Sequence, residues 1–224
     1  PTPSLSVSGL PYWLTFDGNH LISGTPASND LGLSQTIVII ASNGILPDAS
    51  QSFAITVRLP IYVKIDATGA DDGSSWNDAF SDLQDALALA TTGCDIWIAT
   101  GLYKPTSGTD RSISFLMSDD VDIFGGFSGS ETSVSERDVQ ANITVLSGDI
   151  GTLSHTADNS YHVVIGANNI VIDGFIITGG CADSMYNWPN NSGGGVLIVS
   201  VNMSINNTTI QKNKSLYGGG ICCD

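Results

Sequence analysis

The sequence has few charged side chains, and very few of them are positive. Asp, Glu, Lys and Arg make up 13% of the 224 residues, well below the roughly 25% of average globular domains, and only 7 Lys and Arg stand against 22 Asp and Glu. The net charge of −15 repels the phosphates of nucleic acids and anionic lipid surfaces. This shortage of positive charge excludes nucleic acid as a partner.

Cysteine and histidine are also scarce, and neither is arranged for metal binding. Four cysteines are too few for a dense disulfide scaffold and form no pair of CxxC motifs, and the three histidines lie far apart. Two alternatives stay open for the cysteines: buried thiols stacked in a core, or a bridge from Cys181 to Cys222 or Cys223. These residues identify no metal site.

Long apolar runs are missing too. The longest, Thr36–Ala41, has the length of a strand and falls far short of the roughly 20 residues that span a bilayer, so no transmembrane segment is predicted. The chain starts at Pro1 without Met or a signal peptide and stops inside a repeat at Asp224. We therefore expect both ends to be cut from a longer polypeptide, with any export signal or anchor outside it.

Apolar residues, glycine and small polar residues fill the composition instead. Hydrophobic residues make up 42% of the chain, which is enough to build cores, and 25 glycines supply many turns. This composition is typical of an extracellular β protein.

Apolar segments of strand length alternate with turns in residues 1–58. They are Leu10–Phe16, Leu21–Ile22, Thr36–Ala41 and Ser52–Val57. The spacing predicts antiparallel strands, and the alternation in the last segment places Phe53, Ile55 and Val57 on one buried face.

Four short segments of this region resemble a known family. They are Leu10–Leu14 (LPYWL), Ile22–Pro26 (ISGTP), Asp30–Gly32 (DLG) and Ala49–Phe53 (ASQSF). In this order they are similar to the immunoglobulin-like, dystroglycan-type cadherin-like domains of bacterial surface proteins, whose members have further strands before the first segment. The resemblance implies a partial β-sandwich with an exposed sheet edge and half a core, Trp13 as a core anchor, and Ca²⁺ as the one cofactor to consider.

A single amphipathic helix is predicted early in residues 59–224. Ser75 stands three residues before Asp78, which is the spacing of a capping box, and Gly93 ends the pattern. The prediction is a helix over 76–90. The apolar residues at helical spacing are Trp76, Phe80, Leu83, Leu87 and Ala90.

After Gly93, short apolar runs of strand length continue to the end of the chain. Gly193–Val196 (GGGV) recurs 25 residues later as Gly218–Ile221 (GGGI), and one coil of a β-helix takes about that many residues. Each coil of such a solenoid buries its apolar face against the next. The predicted fold is all-β: a right-handed parallel β-helix over 59–224 with an N-terminal α-helical cap, preceded by the partial sandwich of residues 1–58.

Eight segments of this region carry a second resemblance. Six of them resemble the first part of bacterial right-handed β-helix surface proteins of the pectin-lyase-like class: Asp66–Trp76, Asp82–Leu87, Ala99–Thr106, Phe124–Phe127, Ser135–Asp138 and Leu146–Ile150. Ile210–Asn213 and Gly218–Ile221 are similar to the FxxN and GGA[IL] repeats of polymorphic outer-membrane proteins, with Ile in place of Phe and Gly in place of Ala.

Many proteins of this β-helix class act on polysaccharides, so catalysis has to be weighed. A lyase needs acidic residues that hold calcium beside an Arg or Lys base. The candidates are Lys104, Arg111 and Arg137 as bases, and Asp119, Asp120, Asp122, Asp149 and Asp173 as ligands. They form no spacing known from those families, and Arg137, which stands between two acids, predicts a loop ion pair. No catalytic residue is predicted.

The insert Cys181–Ser192 interrupts the repeat and holds the candidate binding residues. Loops on rigid scaffolds often carry function, and exposed aromatic rings stack on sugars, so Tyr186 and Trp188 are the predicted carbohydrate-binding residues. The alternative is that both rings fold back and cover a coil.

Two functions remain. The first is a non-catalytic secreted or cell-surface module, associated with the outer membrane, in a large multidomain bacterial protein. Its role would be adhesion or carbohydrate binding, and its partners a polysaccharide or host glycan and the neighbouring domains of its own chain. The second is the N-terminal part of a polysaccharide lyase or glycoside hydrolase whose active coils lie beyond Asp224. No cofactor other than Ca²⁺ is considered.

Overall fold

The computed structural model describes residues 3–30, 33–185 and 187–224. Leu31, Gly32 and Tyr186 therefore lie outside the described residues. The chain divides into two compact units, Pro1–Leu59 and Pro60–Asp224, which we call unit 1 and unit 2. The boundary expected from the sequence lies one residue earlier.

Strands dominate the described residues of both units. They are β1 (Ser4–Ser8), β2 (Leu14–Phe16), β3 (Ile22–Gly24), β4 (Ser34–Ser42), β5 (Ala49–Thr56), β6 (Leu59–Val63), β7 (Cys94–Ala99), β8 (Gly101–Tyr103), β9 (Phe115–Leu116), β10 (Asp122–Phe127), β11 (Thr144–Ser147), β12 (Val164–Ile165), β13 (Ile170–Asp173), β14 (Ile176–Thr178), β15 (Cys181–Ala182), β16 (Val196–Ile198), β17 (Met203–Asn206), β18 (Thr209–Gln211), β19 (Lys214–Ser215) and β20 (Ile221–Cys223). The α-helix of this part of the chain is α1 (Leu83–Leu89), and short 3-10 turns cover Ser28–Asp30, Val134–Glu136 and Thr156–Asp158. The all-β prediction is confirmed.

Unit 1 is built from antiparallel strands. β4 lies between β1 and β5, and β2 and β3 form a separate hairpin. Val7 is opposite Ile39, and Ile37 is opposite Phe53. Because side chains two residues apart share a face, these four apolar residues lie on one face of the three-stranded sheet.

Only part of this apolar face is covered. Ile37 is fully buried and Leu14 of the hairpin nearly so, but Phe53 is 37% exposed and Leu5 on β1 is similarly open. The predicted buried face is therefore enclosed only in part: Phe53 is open, Ile55 is partly buried and Val57 is buried, because few strands form the second layer. Trp13, the expected core anchor, is only partly buried.

Unit 2 is a parallel β-helix, as the sequence predicts. One sheet has the order β6-β7-β10-β13-β17, a second β8-β11-β14-β18 and a third β9-β12-β16-β20, while β15 pairs with β19. From β7 onward the neighbouring strands pair in parallel. The chain thus visits the three sheets in turn, once in each coil.

Rows of identical side chains run through the coils. Ile96, Ile123, Ile172 and Ile205 are in register along the first sheet. The first three are fully buried, and Ile205 in the last coil is partly buried. Stacked rows of this kind give a solenoid one continuous core.

The two GGG segments lie in register on neighbouring coils, which confirms the predicted repeat. Val196 pairs with Ile221, and the Val196 N–H donates to the Gly220 carbonyl at 2.9 Å. A Cβ added to Gly195 would lie 2.5 Å from that same carbonyl oxygen. Glycine is needed here because the two backbones approach so closely.

The helix is shorter than the predicted range of 76–90. It begins after Asp82, whose Oδ1 accepts a hydrogen bond from the Gln84 N–H at 2.9 Å and so caps the helix. Leu83 and Leu87 on its buried face join the same core cluster as the first coil, and the helix packs against β7 and β9. α1 is therefore a short lid on the first coil.

Residues 75–80 form a turn where the first part of the helix was predicted. The Ser75 hydroxyl does donate to Asp78 at 2.8 Å, but the other oxygen of Asp78 accepts from the Ala70 N–H at 2.9 Å. The Phe80 N–H donates to the Tyr62 carbonyl of β6 at 2.9 Å. These bonds tie the backbone to a loop and a strand, so they compete with helix formation.

The cysteines form no disulfide among the described residues, so the bridge from Cys181 is not made. Cys181 is buried, whereas Cys94 and Cys222 are partly buried and Cys223 is exposed. Only Cys181 fits the alternative of a thiol buried in the core.

Candidate functional site

The loop between β15 and β16 is tied down at its base and at its end. The Ser184 N–H donates to the Asn190 carbonyl at 3.0 Å, and the Ser192 N–H donates to the Pro189 carbonyl at 2.9 Å. The first bond closes the base of the loop and the second forms a tight turn before β16. We call residues 183–192 the aromatic loop.

Trp188 presents its ring to solvent at the tip of the aromatic loop. Its residue surface is 54% exposed, and Met185 is exposed as well. A residue that is half accessible is not fully enclosed against a coil, so Trp188 can contact a ligand from solvent. Tyr186 lies outside the described residues, and its sugar-binding role stays a prediction.

A second exposed aromatic residue, which sequence reasoning missed, lies on the next coil. Tyr217 is 62% exposed, and its neighbour Leu216 is exposed too. Both N–H groups donate to the carbonyl of Asn191, at 3.0 and 3.1 Å. Ser192 and Tyr217 form an isolated parallel bridge, which places Tyr217 beside the end of the aromatic loop.

A buried histidine lies where the aromatic loop returns to the coil. His162 is almost fully enclosed, and its Nδ1 lies 3.0 Å from the Gly193 carbonyl oxygen, which makes Nδ1 the protonated nitrogen. Burial lowers the pKa of His162, and the hydrogen bond to Gly193 opposes this only in part. The side chain is therefore a neutral support.

An ion pair stands at the first residue of the aromatic loop. Arg111 Nη2 lies 2.7 Å from Asp183 Oδ1, and the guanidinium also donates to the carbonyls of Asn159 and Cys181 at 2.7 Å. Its central carbon is 4.2 Å from the centroid of the Tyr161 ring. Partial burial raises the pKa of Asp183, but the hydrogen bond and charge of Arg111 outweigh it and lower the pKa overall.

Arg137 forms an ion pair, but its partner is far away in the sequence. Its Nη2 lies 2.9 Å from Asp173 Oδ2, and both side chains are only 12% exposed. Arg137 Nη1 also donates to the carbonyls of Gly125 and Asp173, and Asn207 donates to the other carboxylate oxygen at 2.9 Å. The expected loop pair with a sequence neighbour is thus replaced by a buried pair that links coils.

Two aspartates near the start of β10 bind the backbone of the following coil. Asp119 Oδ1 accepts from the Asn168 N–H at 2.7 Å, and Asp122 Oδ1 accepts from the Val171 N–H at 2.7 Å. The Asn168 side chain in turn accepts from the Asn202 N–H at 3.4 Å. These side chains hold the corner of the solenoid together.

The remaining lyase candidates form no calcium site. Asp120 adopts a φ of 61° in the turn before β10, Asp149 accepts from the Ser154 N–H at 3.0 Å, and Lys104 lines a shallow cavity with Asp82. Among residues 3–30, 33–185 and 187–224, no three His, Cys, Asp or Glu side chains are grouped to hold a metal ion. Calcium binding stays a prediction.

No helix in the described part of the chain is long and apolar enough to cross a bilayer.

Two family models match the chain. An Ig-domain model, He_PIG, matches residues 1–58, and DUF1565, described as a protein of unknown function, matches residues 67–222. The chain matches no curated protein and no solved structure. Because the second match covers more than half of the chain and agrees with the parallel coils of unit 2, the chain belongs to the right-handed β-helix family DUF1565 and carries an Ig-like domain before it.

Proposed function

We propose that the chain is a non-catalytic module of a secreted or cell-surface protein and that it binds carbohydrate through the aromatic loop. The Ig-like domain and the β-helix family support a structural module at the cell surface. Adhesion to a polysaccharide or a host glycan would be the purpose of such a module.

The exposed ring of Trp188 on a fixed loop is the observation that carries this proposal. A sugar ring presents C–H groups on one face, and an indole ring offers a flat apolar partner for them. The backbone bonds of the loop base and of the turn at Ser192 fix the backbone on both sides of Trp188 before a ligand arrives. Preorganisation of this kind lowers the entropy cost of binding.

The experiment is a glycan array probed with the fluorescently labelled chain of residues 1–224. Trp188→Ala is then titrated with the strongest ligands, and we expect binding at least about tenfold weaker, as for the loss of a central aromatic contact. Because Trp188 is exposed, the thermal unfolding of the variant should match that of the wild type.

Tyr12→Ala is the matched control, since Tyr12 is an exposed aromatic residue of unit 1. This variant should bind the same ligands as the wild type does. An array without ligands, or a Trp188→Ala protein with unchanged affinity, would contradict the proposal.

A further inference from the structure

Tyr217 is held as firmly as Trp188, but by a different coil. Its N–H donates to the Asn191 carbonyl at 3.0 Å, and its carbonyl accepts from the Gly193 N–H at 2.9 Å and from the Ser215 hydroxyl at 2.6 Å. Its backbone is therefore fixed on both sides while its ring stays open to solvent. A rigid tyrosine with an accessible ring is a favourable contact residue in binding surfaces.

An exposed lysine stands three residues before Tyr217. Lys214 pairs in register with Cys181, at the start of the insert that carries Trp188. The Arg111 guanidinium donates to the carbonyl of Cys181 at 2.7 Å and forms the ion pair with Asp183. Lys214 therefore lies on the strand next to this ion pair, and the three side chains together carry one positive charge in excess.

This excess is unusual in a chain with 7 basic and 22 acidic residues. Arg111 and Arg137 are both used in ion pairs, whereas Lys214 has no ion-pair partner within the described ranges. The net charge of −15 opposes an anionic ligand at long range, but salt screens charges beyond about 8 Å at physiological ionic strength. Local charges therefore decide which ligand groups are tolerated at this surface.

We infer that Trp188, Tyr217 and Lys214 form one binding surface across two coils, which takes glycan chains that carry carboxylate or sulfate groups. This inference rests on the proposed function and deepens it. The two rings bind successive parts of one chain, so a ligand needs at least a few sugar units. Lys214 forms a charge-assisted hydrogen bond to an acidic group of that ligand.

Three hexasaccharide probes test this inference by isothermal titration calorimetry on the chain of residues 1–224. Chitohexaose is neutral, unsulfated chondroitin hexasaccharide carries carboxylates, and chondroitin sulfate hexasaccharide carries both groups. The first comparison measures the preference for charge, and the second separates carboxylate from sulfate recognition.

The wild type should bind unsulfated chondroitin hexasaccharide roughly tenfold tighter than chitohexaose at 20 mM NaCl, as expected for one hydrogen bond to a charged group. The preference should shrink at 500 mM NaCl because salt screens the lysine. Lys214→Gln should remove the preference and leave chitohexaose binding unchanged. Tyr217→Ala should weaken both ligands by about the same factor, roughly fivefold or more.

Lys104→Gln is the matched control, because Lys104 lies on a different surface, beside β8. It should bind all three probes as the wild type does. Equal affinity for neutral and acidic probes, or wild-type behaviour of Lys214→Gln or Tyr217→Ala, would overturn the inference. Binding that depends on Trp188 alone would overturn it and leave the proposed function standing, whereas absence of any glycan ligand would overturn both.

Discussion

Unit 1 and unit 2 bury their apolar residues in different ways. In unit 1 a single three-stranded sheet has one apolar face, on which Ile37 is enclosed and Phe53 is open to solvent. In unit 2 the apolar rows lie between successive coils, so Ile123 and Ile172 are fully enclosed. A sheet of a sandwich depends on a complete second layer, whereas a coil needs only its neighbours. A solenoid therefore tolerates a missing part better than a sandwich does.

One polar cluster from each unit shows a similar difference between local contacts and contacts across coils. In unit 1, Asp17 accepts hydrogen bonds from the N–H groups of Asn19, His20 and Leu21, and these bonds lower its pKa to about 2. This cluster lies within one exposed turn. In unit 2 the pair of Arg137 and Asp173 links residues 36 apart in the sequence. The Asp17 carboxylate thus shapes a single turn, whereas the pair of Arg137 and Asp173 connects coils.

Arg137→Ala tests this contrast with the largest expected effect. It would leave the buried Asp173 carboxylate without its partner, so we expect a loss of about 3–5 kcal/mol in the free energy of unfolding of unit 2. Urea unfolding combined with amide hydrogen exchange in β10 and β13 measures it. The double variant Arg137→Met, Asp173→Asn should recover part of the loss, since no buried charge is stranded. Equal loss of protection in β4 would show that the units are not independent.

Two core substitutions of the same kind compare the units directly. Ile177→Ala in β14 should cost about 2–5 kcal/mol because its side chain is fully buried between coils. Phe53→Ala should cost less than about 2 kcal/mol, although it removes more atoms, because Phe53 is already partly in water. Chemical denaturation of both variants, followed by peptide-resolved exchange, gives the two values. A larger loss in the free energy of unfolding for Phe53→Ala than for Ile177→Ala would contradict the proposed difference between the units.

A substitution at the N-cap of α1, the lid of unit 2, should change the free energy of unfolding less. Asp82→Ala removes the cap of α1 and should cost about 1 kcal/mol, seen as faster exchange of the amides of Leu83–Leu89. Ser75→Ala serves as the control, because Ser75 belongs to the preceding turn. If Ser75→Ala speeds exchange in α1 as much as Asp82→Ala does, the helix starts earlier than described.

Acid should destabilise unit 2 slightly through His162. Burial lowers the pKa of His162 below its ordinary value of 6.5, so the unfolded chain takes up the proton first. The free energy of unfolding of unit 2 should be constant above pH 6.5 and fall as the pH drops through the folded pKa. Unfolding at pH 7.5, 6.5 and 5.5 measures this. The slope should be smaller in His162→Gln, and an unchanged slope would exclude His162 as its source.

The strands and their stacking could be predicted because their signals are local. Alternating apolar residues set each strand, and the GGG repeat set the register of Val196 against Ile221. The start of the helix was missed because the apolar spacing of Trp76 and Phe80 suits a helix. In the structure the Phe80 backbone pairs with β6, and the Trp76 indole donates to the Glu131 carbonyl at 2.8 Å. Hydrogen bonds to distant parts of the chain therefore prevail over the helical preference of these residues.

The candidate site was only half visible in the sequence. The insert after Cys181 interrupts a repeat, so Trp188 could be singled out. Tyr217 sits inside a repeat, where an aromatic residue is usually assigned to the core, and only the coil geometry shows that its ring is exposed. The partner of Arg137 was equally hidden, since no sequence rule connects it to Asp173.

The corner formed by Asp119, Asn168 and Asn202 has a consequence for how this fold changes over time. The bond from Asn168 to Asp119 spans 49 residues, whereas the bond from Asn202 to Asn168 spans 34. Both coils nevertheless return to the same corner, so the additional residues of the longer coil form loops on the surface of the solenoid. Insertions and deletions between corners can therefore accumulate without disturbing the stacked coils. One scaffold can in this way display many different surface loops along its length.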